Sequence, residues 1–385
     1  MEHVTSLELD RPQLVATAPE LIRLVKEWKR EPVLAVDTEA ASFHRYLNRI
    51  YLVQVSTRTT TSIIDPVAIE DLSPFGEILA DPKIEVVFHD ADYDLRLFDH
   101  QYGFKVRSLF DTRTAAELLS EPGLSLAALL ERYFDVKIDK RFQRADWSAR
   151  PLTEEMLAYA AADTRNLVAL RDLLAERLEE TGRLAWAREE FARLEHVRWT
   201  VDEDREPAWL RIKGAKALRP RQLAILRELH AWRVGQATRL DRAEFRILGN
   251  DALLAIAREA PESPDALGSI RGVGRDTAER RGRNLLAAVR RGLKVPEQDL
   301  PTVPRPPRRQ REPEIEARTA RLKSVRTEVA ARLGLDPGVI CPNSVLDGIA
   351  RANPTDLAGL RQVEGLKEWQ VKEFGKVLLG AIKTP

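Results

Sequence analysis

The chain repeats itself, and the repeat is its strongest constraint. Shifted by 93 positions, the sequence pairs with itself without a gap from about residue 229 to 290. Leu229 meets Leu322, Arg233 meets Arg326, Ala237 meets Ala330 and Leu240 meets Leu333. Ile256-Ala257-Arg258 meets Ile349-Ala350-Arg351, and Leu285-Leu286 meets Leu378-Leu379. Leu, Ala and Arg coincide by chance in any two helices. Asn250 with Asn343, Pro261 with Pro354, Gly272 with Gly365 and Gly282 with Gly375 do not, because these residues set turns rather than composition. The second half is therefore read as two copies of one all-α unit of roughly 75 residues, the size of a small bundle.

A proline- and arginine-rich stretch, 295–313, separates the copies. Proline at that density excludes helix and central strand, so the stretch reads as a semi-rigid exposed linker. This divides the chain into 1–200, 208–294, the linker 295–313, and 314–385. The first of these alternates in type. Val33–Val36, Ile50–Ser56, Ser62–Asp65, Ile84–Phe88 and Ser108–Phe110 read as strands. Helices are expected at about 70–80 and 92–101, and from 153 to 197 with a break near Thr181-Gly182. Strands that pair early, with helices interleaved later, make an α/β domain with a mixed sheet.

Composition excludes several classes. At 44% hydrophobic and 31% charged, the chain is globular rather than disordered. Its one cysteine, Cys341, excludes an internal disulfide and a cysteine zinc site. No apolar run is long enough for a membrane span, and the start MEHVTSLELDRPQ does not look like a signal peptide. A cytoplasmic protein is expected, and nothing demands more than a monomer. The net charge of +1 hides an asymmetry. Residues 1–200 hold 26 Lys+Arg and 35 Asp+Glu, net −9, whereas 201–385 hold 35 and 25, net +10. A basic half suggests a polyanionic partner. No Gly-rich phosphate loop of the G-x-x-x-x-G-K-[ST] type occurs, so no nucleotide cofactor is expected.

Three acidic elements carry the chemistry. Asp37 and Glu39 end a strand, and alternation puts both carboxylates on one face. Alone, D-x-E describes many solvated strand ends. In Phe88-His89-Asp90-Ala91-Asp92-Tyr93-Asp94-Leu95, Asp90 and Asp92 are candidates to cap a helix. Asp94 is different, since its helix packs on the sheet through Leu95, Leu97 and Phe98. Tyr159 and Asp163 stand at i, i+4 on one helix face, around three alanines that let another backbone approach. Alone, that pair also suits an ordinary helix. Together, four carboxylates and a tyrosine fit a site for two hard divalent cations, Mg2+ or Mn2+, of the kind that hydrolyses phosphodiesters. Six scattered histidines without H-x-x-x-H spacing argue against zinc.

The order D-x-E, D, Y-x-x-x-D resembles the DEDD exonucleases and, with Asp146-Trp147-Ser148-Ala149-Arg150-Pro151-Leu152 ahead of Tyr159, the ribonuclease D family in particular. The duplicated unit is similar to the HRDC domain, which that family can carry twice. The resemblance implies a ribonuclease-H-like sheet and a 3′→5′ exonuclease of the tyrosine subclass, acting on RNA 3′ ends, with transfer RNA precursors as substrate. It implies that Asp37 bridges two metals, that Glu39 and Asp163 hold the one carrying the nucleophilic water, that Asp94 holds the other, and that Tyr159 orients the water. An exonuclease preferring DNA and a catalytically weak nucleic-acid-binding scaffold are the alternatives.

An acidic site needs help to hold a polyanion. Lys140, Arg141, Arg144 and Arg150, interleaved with Trp147, suit a single strand, with cations on phosphates and a ring stacked on bases. Arg233, Arg239, Arg242, Arg246, Arg280, Arg281 and Arg283 crowd the first repeat and extend the expected contact surface.

Overall fold

A computed structural model describes residues 11–200, 206–304 and 312–383. The chain's start and residues 305–311 of the linker lie outside these. The first region opens with β1 (Gln13–Val15), α1 (Ala18–Trp28), β2 (Val33–Ala40), β3 (Ile50–Ser56) and β4 (Thr61–Ile64). It continues with α2 (Ser73–Ala80), β5 (Glu85–Phe88), α3 (Asp92–Tyr102), β6 (Leu109–Asp111), α4 (Thr112–Leu118) and α5 (Leu126–Phe134). Helices α6 (Glu154–Arg165), α7 (Leu167–Glu180) and α8 (Leu184–Leu194) complete it. Six strands form one sheet in the order β1-β4-β3-β2-β5-β6. β2 runs antiparallel to β3 and parallel to β5, so the sheet is mixed, as expected. β3 is buried along its whole length, and its run is apolar but for Gln54 and Ser56.

The sequence pattern missed β1, three residues with two exposed side chains and too little apolar content to register. The helical run after 153 also breaks at Asn166 as well as near Gly182. Neither Asp90 nor Asp92 caps α3. Ala91 holds the cap position, and its N–H goes to Asp111 Oδ2 at 2.9 Å.

The second half contains α9 (Pro220–Leu240), α10 (Glu244–Ile247), α11 (Asn250–Glu259), α12 (Pro264–Ser269) and α13 (Gly274–Leu293). After the linker come α14 (Pro313–Leu333), α15 (Pro337–Ile340), α16 (Asn343–Ala352), α17 (Leu357–Arg361) and α18 (Glu368–Lys383). α9, α10 and α11 map onto α14, α15 and α16 with the 93-residue shift seen in the sequence. The left-handed residues repeat too: Ala260 with Asn353, and Gly272 (φ 90°) with Gly365 (φ 80°). So does an arginine clamp. Arg233 Nη1 bonds Leu248 O at 3.2 Å, and Arg326 Nη1 bonds the equivalent Cys341 O at 2.7 Å. Arg233 is 4% exposed, which withdraws it from any nucleic-acid surface.

The linker is not wholly exposed. Its described start packs Val303 on the first copy, and Arg221 reaches the Val295 carbonyl. The copies also differ in their cores. The first has its own, whereas the second shares one continuous apolar core with the α/β region.

Candidate active site

β2 carries Asp37 and Glu39, and both line one cavity of about 260 Å³. α6 brings Tyr159 and Asp163 to the same cavity, one helical turn apart. Asp94, in the first turn of α3, does not line the cavity. It is latched to β2, where Thr38 Oγ1 donates to Asp94 Oδ1. That bond fixes the α3 carboxylate beside the strand bearing Asp37.

These carboxylates strain one another electrostatically. Burial first, and then the neighbouring Asp163, push Asp37 up to about 8, against a backbone hydrogen bond from Thr38 that lowers it. Burial, then Asp37, Asp163 and Asp94, hold Glu39 well above the ordinary range. Burial and Asp37 do the same to Asp94, while the Thr38 bond opposes them. Burial raises Asp163 to about 7. Tyr159 is raised by burial and then by Asp163, Glu39 and Asp37, so its hydroxyl keeps its proton. Groups that raise one another in this way favour a compensating cation. Among the described residues no three His, Cys, Asp or Glu side chains already converge into a ligand cage. Drawing bare carboxylates closer would only increase their repulsion. An all-oxygen set of this charge suits Mg2+ or Mn2+ rather than a soft metal.

The cavity also contains residues the sequence pattern did not flag: His89, Leu126, Gln143 and Leu167. Burial lowers the His89 pKa, keeping the ring neutral, and its Nδ1 lies 2.9 Å from Thr112 Oγ1. A further signal lay in strand pairing. Gln54 of β3 pairs with Asp37 of β2, is fully buried, and its amide has no hydrogen-bonding partner among the described residues.

Two of the expected nucleic-acid contacts need correction. Trp147 is 1% exposed and packs with Tyr51, Ala160 and Ala161, so its ring cannot stack on a base. It lies 5.9 Å from the Tyr159 ring and braces it. Arg150 spends its guanidinium inside the fold. Nε and Nη2 each hold Asp65 at 2.7 Å, and the remaining N–H groups reach carbonyls of Tyr51, Trp147 and Ala149. Lys140, Arg141 and Arg144 remain exposed on the segment that brings Gln143 to the cavity.

Comparison with known proteins finds matches in both regions of the chain. The 3′-5′ exonuclease family matches residues 12–179, and the HRDC domain matches 222–289 and again 316–382. A ribonuclease D from Gluconacetobacter diazotrophicus is 34% identical over 97% of this chain and 95% of its own. The chain belongs to the ribonuclease D family. The crystal structure of Escherichia coli RNase D, described as an exoribonuclease of structured RNA processing, covers 97% of this chain and 99% of its own. It has a TM-score of 0.67 at 28% identity. The catalytic core of RRP6 from Trypanosoma brucei covers 74% of this chain and 83% of its own, with a TM-score of 0.66 at 27% identity. As a ribonuclease D family member, the chain is a 3′→5′ exoribonuclease with an N-terminal α/β nuclease region and two HRDC domains. Among the described residues no helix is long and apolar enough to cross a membrane.

Proposed function

We propose that this exoribonuclease trims the 3′ ends of RNA precursors, transfer RNA precursors among them, releasing nucleoside 5′-monophosphates one at a time. The observation that carries the reading is the meeting of Asp37, Glu39 and Asp163 at one cavity, with Asp94 latched behind them and every one of these acids raised. Asp37, Glu39, Asp94 and Asp163 would hold two divalent cations, Mg2+ or Mn2+. Bound there, the ions would supply an activated water and charge for the leaving oxygen. The chain's own groups do the rest. Tyr159, kept protonated and braced by Phe142 at 5.8 Å and Trp147, orients the water. Leu126 and Leu167 give the terminal nucleotide apolar walls, and neutral His89 and Gln143 offer it hydrogen bonds. Lys140, Arg141 and Arg144 attract the phosphates behind it.

The test combines activity with stability. End-labelled RNA and matched DNA are incubated with Mg2+, Mn2+ or EDTA. Stepwise loss of RNA from the 3′ end, stopped by EDTA and by Asp37→Asn, is expected. Internal cuts, full activity of Asp37→Asn, or equal use of DNA would overturn the reading. In metal-free protein Asp37 sits at about 8, against 3.8 for the ordinary group. The folded state therefore keeps a proton that the unfolded state gives up, and stability is lost as pH rises from about 4 through 8. Asp37→Asn should raise the melting temperature of metal-free protein at pH 8 by about 5 °C and remove its further rise with Mg2+.

A further inference from the structure

Two phenylalanines lie open where the first helical copy meets the nuclease region. Phe43, just past the end of β2, and Phe245 of α10 stand 4.8 Å apart at 55°. They keep 41% and 47% of their surface exposed. An apolar contact that only joined two domains would bury such rings. These are instead flanked by guanidinium groups. Arg144 lies 5.4 Å from the Phe43 ring, and Arg246 lies 5.5 Å from Phe43 and 5.8 Å from Phe245. The platform is held by hydrogen bonds to backbone groups rather than by the rings. Arg246 Nε donates to Phe43 O at 2.8 Å, and Ala243 N to His44 O at 3.1 Å. Asp241 Oδ1 accepts from the N–H groups of both Tyr46 and Leu47 at 3.1 Å.

The platform adjoins the catalytic cavity along two stretches of chain. Glu39 lines the cavity and Phe43 follows four residues on, a span of at most about 14 Å. Gln143 lines the cavity, and its neighbour Arg144 lies on Phe43. Beside the platform a cleft of about 480 Å³ opens among Arg45, Tyr46, Asn48, His100 and Phe245. Behind it, Arg239, Arg242 and Arg280 stand close enough to Arg281 to lower its pKa after burial has done so. The charge has no match in the second copy. Residues 208–294 hold 19 Lys+Arg and 9 Asp+Glu, net +10, while 314–385 hold 11 and 9, net +2.

We infer that Phe43, Phe245, Arg144 and Arg246 form a stacking platform for single-stranded RNA just upstream of the 3′ end being cleaved. Ring and guanidinium planes take bases without regard to sequence, and the arginines behind them take phosphates. The inference rests on the exoribonuclease reading, because it needs a strand leading into that cavity.

The test measures binding and hydrolysis separately in the full chain. Binding of a dodecamer of oligoadenylate is followed by fluorescence anisotropy in EDTA, and hydrolysis of a diadenylate by product release in Mg2+. Phe43→Ala and Phe245→Ala should each weaken dodecamer binding about tenfold and leave kcat/KM on the diadenylate unchanged. Phe245→Leu keeps an apolar contact without a ring, and Phe245→Trp enlarges the ring. Loss of binding in the first with retention in the second supports stacking, even if an alanine variant folds poorly. Equal binding by the Leu, Trp and wild-type proteins would reduce Phe245 to a domain contact and overturn the platform. An inert wild-type protein that still bound the dodecamer through these rings would instead count against the catalytic reading alone.

Discussion

Asp276 and Trp369 occupy the same place in the repeat, 93 residues apart, and do opposite work. Asp276 lies exposed in the first turn of α13 and pairs with Arg280 at 2.9 Å. Trp369 is 3% exposed and stacks on Trp186 of the nuclease region, 4.6 Å away and tilted by 15°. The residues around each follow suit. In the first copy come Arg242, Phe245, Arg280 and Arg281; in the second, at equivalent positions, Leu335, Gly338, Glu373 and Phe374. Glu189 accepts the N–H groups of Glu368 and Trp369 at 2.7 and 2.8 Å, capping α18 from the nuclease side. Glu190 takes Trp369 Nε1 at 2.8 Å and pairs with Lys367. The same backbone thus serves as a charged face in one copy and as part of the nuclease core in the other. A duplicated fold does not imply a duplicated role.

The widest break between the copies is in stability. Trp369→Ala opens a cavity in the shared core and strands the Trp186 ring, at a cost of about 3–5 kcal/mol. Asp276→Ala, on an exposed pair, should change stability by less than about 0.5 kcal/mol. Chemical denaturation of the two variants reads both numbers. Equal, small effects would show that the second copy is merely tethered.

How much of this was legible beforehand varies with the kind of signal. Asp37 with Glu39, and Tyr159 with Asp163, could be paired because strand and helix periodicities put them on shared faces, whereas Asp94 and the joining of the three elements rested on the resemblance to the ribonuclease D family. The copies could be aligned because Pro, Gly and Asn mark turns. Trp147 and Arg150 could not be placed, because a basic and aromatic stretch reads alike whether it grips a ligand or braces a fold. In the fold Trp147 supports Tyr159 and Arg150 clasps Asp65. Cavity walls such as Leu126 and Leu167 look like any core leucine. The docking of the second copy was hidden too, since a tryptophan in a helix does not name the surface it will meet.

The second break is electrostatic. Replacing Arg239, Arg242 and Arg280 by Gln should reduce the slope of log affinity for long RNA against log salt by roughly 2–3, about one for each phosphate left without its arginine. Replacing Lys372, Lys376 and Lys383 on α18, all exposed, should leave the slope nearly unchanged. Equal reductions from the two triples would place RNA on both copies and erase the distinction.

The smallest expected difference concerns what the copies still share. In both, an arginine of the long first helix, buried in the first copy and half-buried in the second, holds the carbonyl that follows the short second helix, and in both its Nε has no hydrogen-bonding partner among the described residues. Removing that one carbonyl bond costs about 1–2 kcal/mol in either copy. Arg233 does more, because it also bonds Asn250 Oδ1 at 2.7 Å and pairs with Glu244 at 2.7 Å. Glu244 opens α10, which carries Phe245 and Arg246, so in the first copy the clamp also anchors the turn of the proposed platform. Arg233→Met should therefore destabilise its copy by about 1 kcal/mol more than Arg326→Met destabilises the other, because Glu244 is left partly buried without its partner. Arg233→Met should also weaken binding of the dodecamer, whereas Arg326→Met should not. If the two variants behaved alike in both measurements, the clamp would be a property of the repeat alone, and the first copy's charged turn would owe nothing to it.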